Sequence, residues 1–409
     1  MISLTSDQEQ AKQDILNFLN NTTQKYFVVH GLAGSGKTFL IRHVQEEYRK
    51  VSQLLKTTGD TEERTWVYTA TTHKAAQALN YATGTETHTI HSLLNLKLKA
   101  DYRTGTHSLT RSSKEPVKEN LIIIIDEASY IDYTLLRAIE DYTSNCKIIF
   151  MGDPVQLPPV GLNHCPVFLK EYPTAYLKQV VRQQETHPLT PVLKKFRDYI
   201  ENRSGQFPQI TLCPSILHLS KELFLQAISE EFNSSWDTHS SRLIAWRNKT
   251  VIKYNNYLFE QNTQRNHFTV GDCVINNHAV KHIRTDAEVT IIGAKPSQSL
   301  DVQGYTYLVD TGLECVSVFV PLKPTDYKKY KNIHLRKNNQ DAVQHIMDTW
   351  ADFRPAYACT VNKAQGSTYD KVFIDLTDFK NFKDLRHLAR LLYVAMSRAK
   401  YQVIFTGDL

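Results

Sequence analysis

The sequence predicts an α/β protein whose main sheets are parallel, and three observations support this fold class. Residues 31–38 form a glycine-rich loop between an apolar run at 26–30 and a segment with helical spacing at 39–49. Further strand-like runs at 65–70, 121–125 and 147–151 each lead into polar residues. Buried strands of a parallel sheet read as nearly continuous apolar runs, and ligand-binding side chains follow their carboxyl ends.

Length and composition indicate a globular protein of several domains. The 409 residues exceed one ordinary core, so we expect roughly two to four domains. Hydrophobic residues make up 41% and charged residues 22%, and the net charge of +6 favours an anionic partner only weakly. Six cysteines without a C-x-x-C pair indicate a reducing compartment and predict no cysteine-bound metal. Without a signal peptide or a bilayer-spanning apolar run, we expect a cytoplasmic protein with no membrane contact.

The glycine-rich loop matches G-x-x-x-x-G-K-[ST], the phosphate-binding P-loop. Backbone amides around Gly34, Ser35 and Gly36, together with the N-terminus of the next helix, offer an anion site. Lys37 can reach the β- and γ-phosphates of a nucleotide, and Thr38 can offer its hydroxyl to Mg²⁺. A chance glycine-rich turn is the alternative, but few such turns join a buried strand to a helix. The predicted cofactors are ATP and Mg²⁺.

A helix is predicted from Leu4 onward, with Thr5 or Ser6 as its N-cap. Gln8 lies in this helix, upstream of the first strand. Its amide offers both a donor and an acceptor, which can bind the edge of an adenine. A solvated helix glutamine is the alternative for Gln8 considered alone.

Two segments rich in hydroxyl and imidazole groups follow the second strand. They are 71–76, Thr-Thr-His-Lys-Ala-Ala, and 87–92, Thr-His-Thr-Ile-His-Ser. Such side chains at the ligand edge of a sheet suit contacts to a phosphate backbone. The candidate nucleic-acid contacts are Thr72, His73, Thr89 and His91, with helix capping as the alternative.

Residues 96–116 alternate between apolar and polar residues on both sides of a turn at 103–106. This pattern predicts a basic β-hairpin without a core face of its own. A surface loop without regular structure is the alternative.

The most apolar run, 121–125, ends in the carboxylate pair Asp126 and Glu127. A carboxylate at the end of a buried strand is costly unless it meets a cation. Asp126 can therefore hold Mg²⁺, and Glu127 can orient or deprotonate an attacking water. The run at 147–151 leads into 152–159, Gly-Asp-Pro-Val-Gln-Leu-Pro-Pro, where Gln156 would lie beside the γ-phosphate. The alternatives are a capping role for the carboxylates and a proline-fixed turn with a solvent-facing glutamine.

The glutamine-bearing helix, G-x-x-x-x-G-K-T, T-T-H-K-A-A, D-E-A-S and G-D-P-V-Q-L-P-P resemble, in order and spacing, the motifs of superfamily 1 helicases. The likeness is greatest to the 1B branch, with its RecD-like enzymes and Dda-like phage helicases, and it runs from about Leu4 to the C-terminus. It implies an α/β fold with two RecA-like P-loop cores. It also implies a small β-hairpin insertion in the first core and an SH3-like β-barrel insertion in the second.

The resemblance assigns residues in the second half as well. Segment 177–183 resembles a motif whose arginine, Arg182, reaches the γ-phosphate, and segment 391–400 resembles one that supplies a second arginine, Arg398. Either arginine alone would more often form a surface ion pair. The family usually has histidine where Asn362 stands, and asparagine keeps a donor but cannot be protonated. The other positions carried over are Asn248, Thr360, Asn362, Lys363 and Ser367 for nucleic acid and Gly366 for the nucleotide.

The implied domain layout places the first core at 1–95 and 117–186, a hairpin wedge at 96–116, the second core at 187–263 and 350–409, and the SH3-like insertion at 264–349. Short strands with turn signals at 268–320 are typical of a small barrel. Residues 323–337 contain six Lys/Arg against one Asp, interleaved with Tyr327 and Tyr330. This basic segment suits single-stranded nucleic acid, with a solvated basic helix as the alternative.

The resemblance implies an ATP-hydrolysing DNA helicase that moves 5′ to 3′ on single-stranded DNA and unwinds duplex in replication, recombination or repair. The expected partners are single-stranded and fork DNA, with a single-strand-binding protein or polymerase as further candidates. We expect a monomer from a virus, such as a phage. The alternatives are an NTP-dependent switch, clamp loader or remodeller that binds DNA without unwinding it, and a non-enzymatic scaffold with a relic P-loop. A helicase–nuclease fusion is disfavoured, because no spare carboxylate cluster remains.

Overall fold

The computed structural model describes residues 4–32, 34–56, 64–101, 106–112, 115–179, 188–202, 205–233, 236–238, 240–280, 283–285, 287–312, 314–323, 325–380 and 382–409. Arg182 and residues 102–105, which include most of the expected hairpin turn at 103–106, lie outside these ranges. The chain forms two compact units. The first comprises Met1–Thr211 and Lys383–Ser397, and the second comprises Leu212–Phe382 and Arg398–Leu409.

The first unit is built on a six-stranded parallel sheet with the order β10-β1-β9-β7-β2-β3. Short 3-10 helices lie at Ala128–Tyr130 and Pro166–Leu169. In chain order the elements up to the last helix before the second unit are α1 (Ser6–Asn20), β1 (Tyr26–Gly31), α2 (Lys37–Lys56), β2 (Thr65–Ala70), α3 (His73–Thr83), β3 (Thr87–Thr89), α4 (Ile90–Leu93), β4 (Lys97–Asp101), β5 (Thr106–Thr110), β6 (Lys118–Glu119), β7 (Leu121–Asp126), α5 (Tyr133–Asp141), β8 (Thr143–Ser144), β9 (Lys147–Gly152), β10 (Thr174–Leu177) and α6 (Leu189–Asn202).

Both faces of this sheet are covered, which explains the continuous apolar runs in its central strands β7 and β9. In β7, Ile122 and Ile124 pack into the cluster that includes α1 and α2, whereas Ile123 and Ile125 pack into the cluster that includes α5. Successive strand residues point to opposite faces, so a strand buried on both sides needs a continuous apolar run. The parallel sheet predicted from these runs is confirmed, and the polar segments that follow β1, β2, β3, β7 and β9 all lie at its carboxyl edge.

Strands β4 and β5 pair antiparallel, with Lys97 opposite Thr110 and Asp101 opposite Thr106. Leu96 and Leu109 pack against the cluster on the α5 face of the sheet. Arg111 donates from Nε to the Leu94 carbonyl oxygen at 2.9 Å, and its guanidinium lies 4.4 Å from the ring centroid of Tyr142. The base of the hairpin is therefore fixed to the first unit by apolar packing and by one arginine.

The unit boundaries differ from those predicted, because two helices assigned to the second core lie in the first unit. These helices are α6 and α12 (Leu385–Met396), which pack against each other. On α6, Phe196 and Ile200 are fully buried, and the Ile200 carbonyl oxygen accepts a 2.8 Å hydrogen bond from Arg386 Nε. α12 lies between two strands of the second unit in the sequence, so its place could not be read from chain order.

The second unit contains a five-stranded parallel sheet with the order β11-β20-β19-β12-β18. A 3-10 helix lies at Leu376–Phe379. The elements are β11 (Ile216–Leu219), α7 (Lys221–Glu231), β12 (Ser241–Ala245), α8 (Asn248–Thr263), β13 (Cys273–Asn276), β14 (Glu288–Ser299), β15 (Val302–Asp310), β16 (Cys315–Pro321), α9 (Asp326–Arg336), α10 (Gln340–Thr349), β17 (Phe353–Pro355), β18 (Ala358–Thr360), α11 (Val361–Ala364), β19 (Tyr369–Asp375) and β20 (Ala399–Thr406).

Strands β13 to β17 form a separate antiparallel sheet with the order β16-β15-β14-β13-β17. Its last strand lies beyond residue 349, where the predicted insertion ends. Arg242 of β12 is fully buried and donates to Glu288 of this sheet at 3.1 Å. The SH3-like character of this sheet stays a prediction.

Most of the basic segment at 323–337 forms α9, and its two tyrosines are half-buried against other aromatic rings. The ring centroid of Tyr327 lies 4.1 Å from that of His278, and the ring of Tyr330 lies 6.2 Å from that of Trp350. Both rings pack against the cluster around Trp350. Through the described parts of the chain, no helix has the length and apolar character needed to cross a membrane.

Candidate nucleotide and nucleic-acid sites

The P-loop follows β1 and depends on glycine at several positions. Gly34 and Gly36 have φ values of 82° and 77°, in the left-handed region that favours glycine. A Cβ atom on Gly36 would lie 2.6 Å from the Gln8 amide nitrogen, and one on Gly31 would lie 2.5 Å from Ser35 Oγ. This loop, the P-loop cradle, therefore has no room for a side chain at Gly31 or Gly36.

The donors of this loop fit a polyphosphate. Lys37 Nζ donates to the carbonyl oxygens of Gly31 and Leu32 at 2.9 and 3.1 Å, which holds its ammonium group over the loop. Ser35 Oγ is buried and has no hydrogen-bond partner among the described residues. Thr38 lies in the first turn of α2, beside Lys37. These residues could hold a nucleotide, with phosphate oxygens meeting Lys37 and the loop amides.

Gln8 is only 2% exposed and links α1 to the P-loop. Its Nε2 donates to the Ser35 carbonyl oxygen at 2.9 Å, and its Oε1 accepts from the Thr5 amide at 3.0 Å. Thr5 completes a capping box with Gln8, as predicted for a helix start. Each polar atom of the Gln8 amide can make a second hydrogen bond, so the expected adenine contact stays a proposal.

The neighbouring Asp7 binds the segment that leads towards Arg182. Its Oδ2 accepts from the backbone amides of Lys178 and Gln179 at 2.7 and 3.0 Å. Burial opposes ionisation of Asp7, but the hydrogen bonds from Thr5 and these amides hold its pKa below the usual value. Asp7 and Gln8 thus contact two elements of the expected nucleotide site from adjacent positions on α1.

The carboxylate pair lies at the end of β7, with Asp126 as the last residue of the strand and Glu127 next. Burial raises the pKa of Asp126, while the charge of Lys37 and the Glu127 amide, which donates to Asp126 Oδ1 at 2.9 Å, act to lower it. Glu127 has φ 54° and ψ 42°, a left-handed conformation that costs about 1–3 kcal/mol in a residue other than glycine. Thr71 holds this conformation, because its Oγ1 donates to the Glu127 carbonyl oxygen at 2.9 Å. Such strain is typical of functional sites.

Gln156 lies in the loop after β9 and is buried, not solvent-facing as in the alternative interpretation. Its Oε1 has no hydrogen-bond partner within the described ranges. A buried amide oxygen without a partner is costly, and a ligand or water at this loop would relieve that cost.

The predicted nucleic-acid residues of the first unit lie after β2 and β3. Thr72 caps α3 by accepting from the Ala75 amide at 3.2 Å, and Thr89 caps α4 by accepting from the Ser92 amide at 3.1 Å. His73 is exposed at the start of α3, and burial lowers the pKa of His91. Both threonines thus take the capping role that was the alternative, while each hydroxyl keeps a proton to donate.

The second unit repeats this threonine-capped turn. Thr360 ends β18 and accepts from the Lys363 amide at 3.4 Å, which caps the one-turn helix α11. Thr89 ends β3 in the same way and caps the one-turn helix α4. His91 and Asn362 therefore occupy equivalent places, two residues after a capping threonine that ends a parallel strand.

Asn248 begins α8, and a buried carboxylate holds the turn that precedes it. Asp378 accepts from the amides of Trp246 and Arg247 at 2.6 and 2.9 Å, from Arg247 Nε at 2.7 Å and from Thr250 Oγ1 at 2.5 Å. Arg247 and Asn248 stay exposed. The Asp378 side chain was not recognised from the sequence, because it lies 130 residues from Asn248 along the chain.

Gly366, Ser367 and Arg398 come together in the second unit. Arg398 is 4% exposed and donates from Nη1 to the Ser367 carbonyl oxygen at 3.2 Å. Ser367 Oγ is buried without a partner among the described residues, and Gly366 has φ 81°. Arg398 is thus buried, which differs from the surface ion pair that was its alternative role.

Comparison with known proteins adds to this geometry. Residues 3–199 match the model of the AAA domain family, and residues 355–406 match that of the UvrD-like helicase C-terminal domain. The chain is 24% identical over 459 residues to the ATP-dependent DNA helicase dda of Enterobacteria phage T4, covering 98% of this chain and 99% of that protein. It is 29% identical over 121 residues to the RecD2 DNA helicase of Deinococcus radiodurans, covering 29% of this chain and 16% of that protein.

Among solved structures, the Pif1 helicase from Bacteroides in complex with ADP-AlF3 and single-stranded DNA matches with a TM-score of 0.54. The identity is 17%, and the match covers 100% of this chain and 94% of that one. This likeness concerns the fold, a pair of parallel α/β cores of the RecA type. The motif order from Gln8 to Arg398, the two family matches and the two relatives support a superfamily 1B helicase, in the group of the RecD- and Dda-like enzymes.

Proposed function

We infer that this protein is an ATP-hydrolysing DNA helicase. The observation that carries this conclusion is the combination of a P-loop cradle in the first unit with one threonine-capped turn at a strand end in each unit. An NTPase needs the cradle alone. A motor that moves along a strand needs two grips, and equivalent turns in two units supply the elements for them.

For the chemical step, we propose that Lys37 and the amides around Gly34, Ser35 and Gly36 bind the phosphates of ATP. Thr38 and Asp126 would hold Mg²⁺, which supplies charge neutralisation at the β- and γ-phosphates when bound. Glu127 takes a proton from the attacking water. Gln8 contacts the adenine edge, and Gly366 lines the nucleotide site.

Charge on the transferring phosphoryl group would be stabilised by Gln156, Arg182 and Arg398. Guanidinium groups that reach such a group are worth about 10³–10⁵ in rate. Arg182 belongs to a segment that follows the Asp7 anchor at Lys178 and Gln179. If these arginines complete the site only with nucleic acid bound, hydrolysis should depend on nucleic acid.

For the DNA grip, we propose that phosphates are held by hydroxyl, imidazole and amide groups at the strand ends. The proposed contacts are Thr72, His73, Thr89 and His91 in the first unit and Asn248, Thr360, Asn362, Lys363 and Ser367 in the second. The solved relative with single-stranded DNA bound supports DNA as the partner. A fork is the expected working substrate, and the proposed direction is 5′ to 3′ with the hairpin 96–116 as the strand-separating wedge.

Further proposals extend the expectations drawn from the sequence and from the family likeness. They are Mg²⁺ as the metal, an SH3-like fold for the insertion, and a single-strand-binding protein or polymerase as partner. They also include a monomeric state, a cytoplasmic location and a role in replication, recombination or repair. We also propose the domain limits predicted from the sequence: the first core at 1–95 and 117–186, the hairpin at 96–116, the second core at 187–263 and 350–409, and the insertion at 264–349.

The experiment that tests the function is strand displacement on duplexes with a 5′ tail, a 3′ tail or a fork, each made in DNA and in RNA. We expect ATP-dependent displacement on the 5′-tailed and forked DNA. The alternative, a DNA-stimulated NTPase switch or remodeller, predicts ATP hydrolysis that rises with single-stranded DNA but no displacement on any substrate. Strand displacement only from the 3′-tailed duplex would contradict the proposed 5′ to 3′ direction but still show helicase activity.

A further inference from the structure

The loop that carries Gln156 is held by a buried polar cluster that no motif assignment explains. Asp153 is 0% exposed, and its two carboxylate oxygens accept from Arg197 Nη1 at 3.0 and 3.1 Å. The hydroxyl of Tyr393 donates to Asp153 Oδ2 at 3.2 Å, and the Val155 amide donates to Oδ1 at 3.1 Å. The cluster joins the loop after β9 to α6 and α12.

A second contact from α12 reaches Gln156 itself. Arg390, one turn before Tyr393, donates from Nη1 to the Gln156 carbonyl oxygen at 3.2 Å. The Gln156 backbone amide donates to the Asp153 carbonyl oxygen at 3.1 Å. The backbone of the loop is thus held at both ends of the Asp153–Gln156 turn, while the side-chain oxygen of Gln156 is buried without a partner in the described ranges.

Burying the charges of Asp153 and Arg197 costs desolvation free energy, so stability alone does not explain why such a cluster holds the loop. Buried ion pairs can often be replaced by apolar residues of similar volume without loss of stability, so their presence is weak evidence for a stabilising role. Buried ion pairs instead favour a single arrangement of the loop, because any arrangement that removes a partner leaves a buried charge or donor unsatisfied. A loop that must place one amide against a reacting group needs that kind of definition.

The helix that supplies these contacts also leads to the second arginine. α12 ends at Met396, Ser397 follows as its C-cap, and Arg398 comes next. Tyr393 and Arg398 are therefore five residues apart along one short stretch of chain. A displacement of α12 along its axis would act on the Gln156 loop through Tyr393 and Arg390, and on Arg398 through the backbone.

We propose that Tyr393 and Arg390 are positioning residues that couple the Gln156 loop to Arg398, so that the two proposed γ-phosphate contacts engage together. The proposal rests on the proposed function. Asp153 and Arg197 are the fixed part of this coupling, and Tyr393 and Arg390 are the part carried by α12. Loss of the coupling should slow DNA-stimulated ATP hydrolysis and lower the number of base pairs opened per ATP. Binding of ATP and of DNA should be unaffected.

The main test is Tyr393→Phe, which removes one hydroxyl and keeps the ring. We expect kcat for DNA-stimulated ATP hydrolysis to fall about tenfold, with the KM for ATP and the Kd for single-stranded DNA within twofold of the unchanged protein. The number of base pairs opened per ATP should fall by at least half as well. A structural role alone would lower the unfolding temperature and leave this ratio unchanged.

The chain supplies a matched control in Tyr254→Phe. Tyr254, like Tyr393, is 4% exposed, and its hydroxyl donates to a buried carboxylate, Asp375, at 2.6 Å. This pair lies outside the proposed sites. The control should lose a similar amount of thermal stability but keep kcat and the base pairs opened per ATP. Equal kinetic effects of Tyr254→Phe and Tyr393→Phe would overturn the proposal.

A second pair of variants tests Arg390. Arg390→Met removes the donor to the Gln156 carbonyl oxygen and should reproduce the kcat loss, whereas Arg390→Lys keeps a cationic donor and should restore part of it. If Arg390→Met and Arg390→Lys are equally defective in kcat, the hydrogen bond to Gln156 does not matter and the proposal fails. If the unchanged protein hydrolyses ATP but opens no duplex, the proposed function fails instead, and the kcat comparison still decides the coupling.

Discussion

The side-chain amide of Gln8 donates a 2.9 Å hydrogen bond to the carbonyl oxygen of Ser35, so the first helix holds the P-loop from behind. Asp7, the preceding residue, accepts from the amides of Lys178 and Gln179. One turn of α1 therefore contacts the phosphate-binding loop and the segment before Arg182. This arrangement gives the N-terminal helix a part in the nucleotide site that does not depend on the base.

The first prediction concerns Gln8. We expect Gln8→Ala to raise the KM for ATP about tenfold, because a buried hydrogen bond to the loop is worth about 1 kcal/mol and a base contact would add to it. Loss of the Gln8–Ser35 hydrogen bond should raise the KM for ATP and for GTP alike, whereas loss of an adenine contact should raise the KM for ATP alone. Steady-state kinetics with both nucleotides measures the two parts, and we expect the KM for ATP to rise more.

The control for Gln8 is Gln10→Ala. Gln10 lies on the same helix, but its amide donates to Asp14 in an exposed pair at 3.0 Å. This variant should leave both KM values unchanged. An unchanged KM for ATP in Gln8→Ala would show that the 2.9 Å contact does not support nucleotide binding.

The second prediction separates phosphate binding from water activation. Lys37→Ala should abolish ATP hydrolysis and leave the Kd for single-stranded DNA within a few-fold, because the proposed grip uses other residues. Glu127→Gln should still bind ATP, measured by equilibrium titration, but not split it. Lys50→Ala, an exposed change on the same helix α2, is the control and should hydrolyse ATP normally. Hydrolysis that survives in Lys37→Ala or Glu127→Gln would contradict the assigned roles.

The third prediction concerns the two arginines. Arg182→Ala and Arg398→Ala should each lower DNA-stimulated hydrolysis about 10³-fold or more, the usual scale for a guanidinium that reaches the transferring phosphoryl group. Arg137→Ala serves as a control, because Arg137 is exposed on α5, where its guanidinium lies 3.6 Å from the Asp141 carboxylate. Full activity of the unchanged protein without nucleic acid would favour a plain NTPase.

The fourth prediction concerns the hairpin. Replacing residues 100–107 with a short Gly/Ser turn should leave DNA-stimulated hydrolysis nearly intact and remove duplex unwinding. Leu109 and Arg111 are kept, because they fix the hairpin base to the first unit. Separating a base pair costs roughly 1.4 kcal/mol in stacking, so the wedge needs only to block re-pairing.

The hairpin variant is measured on 5′-tailed and 3′-tailed duplexes, with thermal unfolding as the check on folding. An unchanged unfolding temperature with lost unwinding supports the wedge. Unwinding that persists after the replacement would rule out residues 100–107 as the separating element.

The fifth prediction concerns the basic face of α9. Lys328, Lys329 and Arg336 are exposed, whereas Tyr327 and Tyr330 pack on protein rings. We therefore expect this helix to bind phosphates rather than bases. Changing the three cations to glutamine should reduce the slope of log K against log salt by about 0.7 for each phosphate of the single strand that the protein no longer neutralises.

Tyr327→Leu distinguishes phosphate binding from stacking on α9. Stacking on a base is worth about 1–3 kcal/mol, so a stacked tyrosine would lose affinity strongly on this change. Because the Tyr327 ring lies against His278, we expect DNA affinity to change less than twofold and the unfolding temperature to fall. A large loss of DNA affinity with an unchanged unfolding temperature would show that Tyr327 stacks on a base.

Local patterns in the amino-acid sequence were enough to establish several features of the fold and the site. The P-loop, the continuous apolar strand β7 with Asp126 at its end, and the alternation of β4 and β5 each depend on residues close together in the chain. The parallel sheets followed, because only strands covered on both faces are apolar at every position. Motif order along the chain was sufficient to suggest the family and most of the candidate site residues.

Only the folded chain shows which distant side chains support those residues. The contacts of Asp153 with Arg197 and Tyr393 join positions 44 and 240 residues apart, and the Asp378 contacts that hold the turn before Asn248 span about 130 residues. A buried ion pair leaves no local pattern, since each partner considered alone looks like a surface charge. For the same reason the sequence placed α6 and α12 with the second core, whereas they pack within the first compact unit. The sequence likewise did not indicate that the rings of Tyr327 and Tyr330 pack beside His278 and Trp350. Burial depends on what packs against a side chain, and that is a property of the tertiary structure alone.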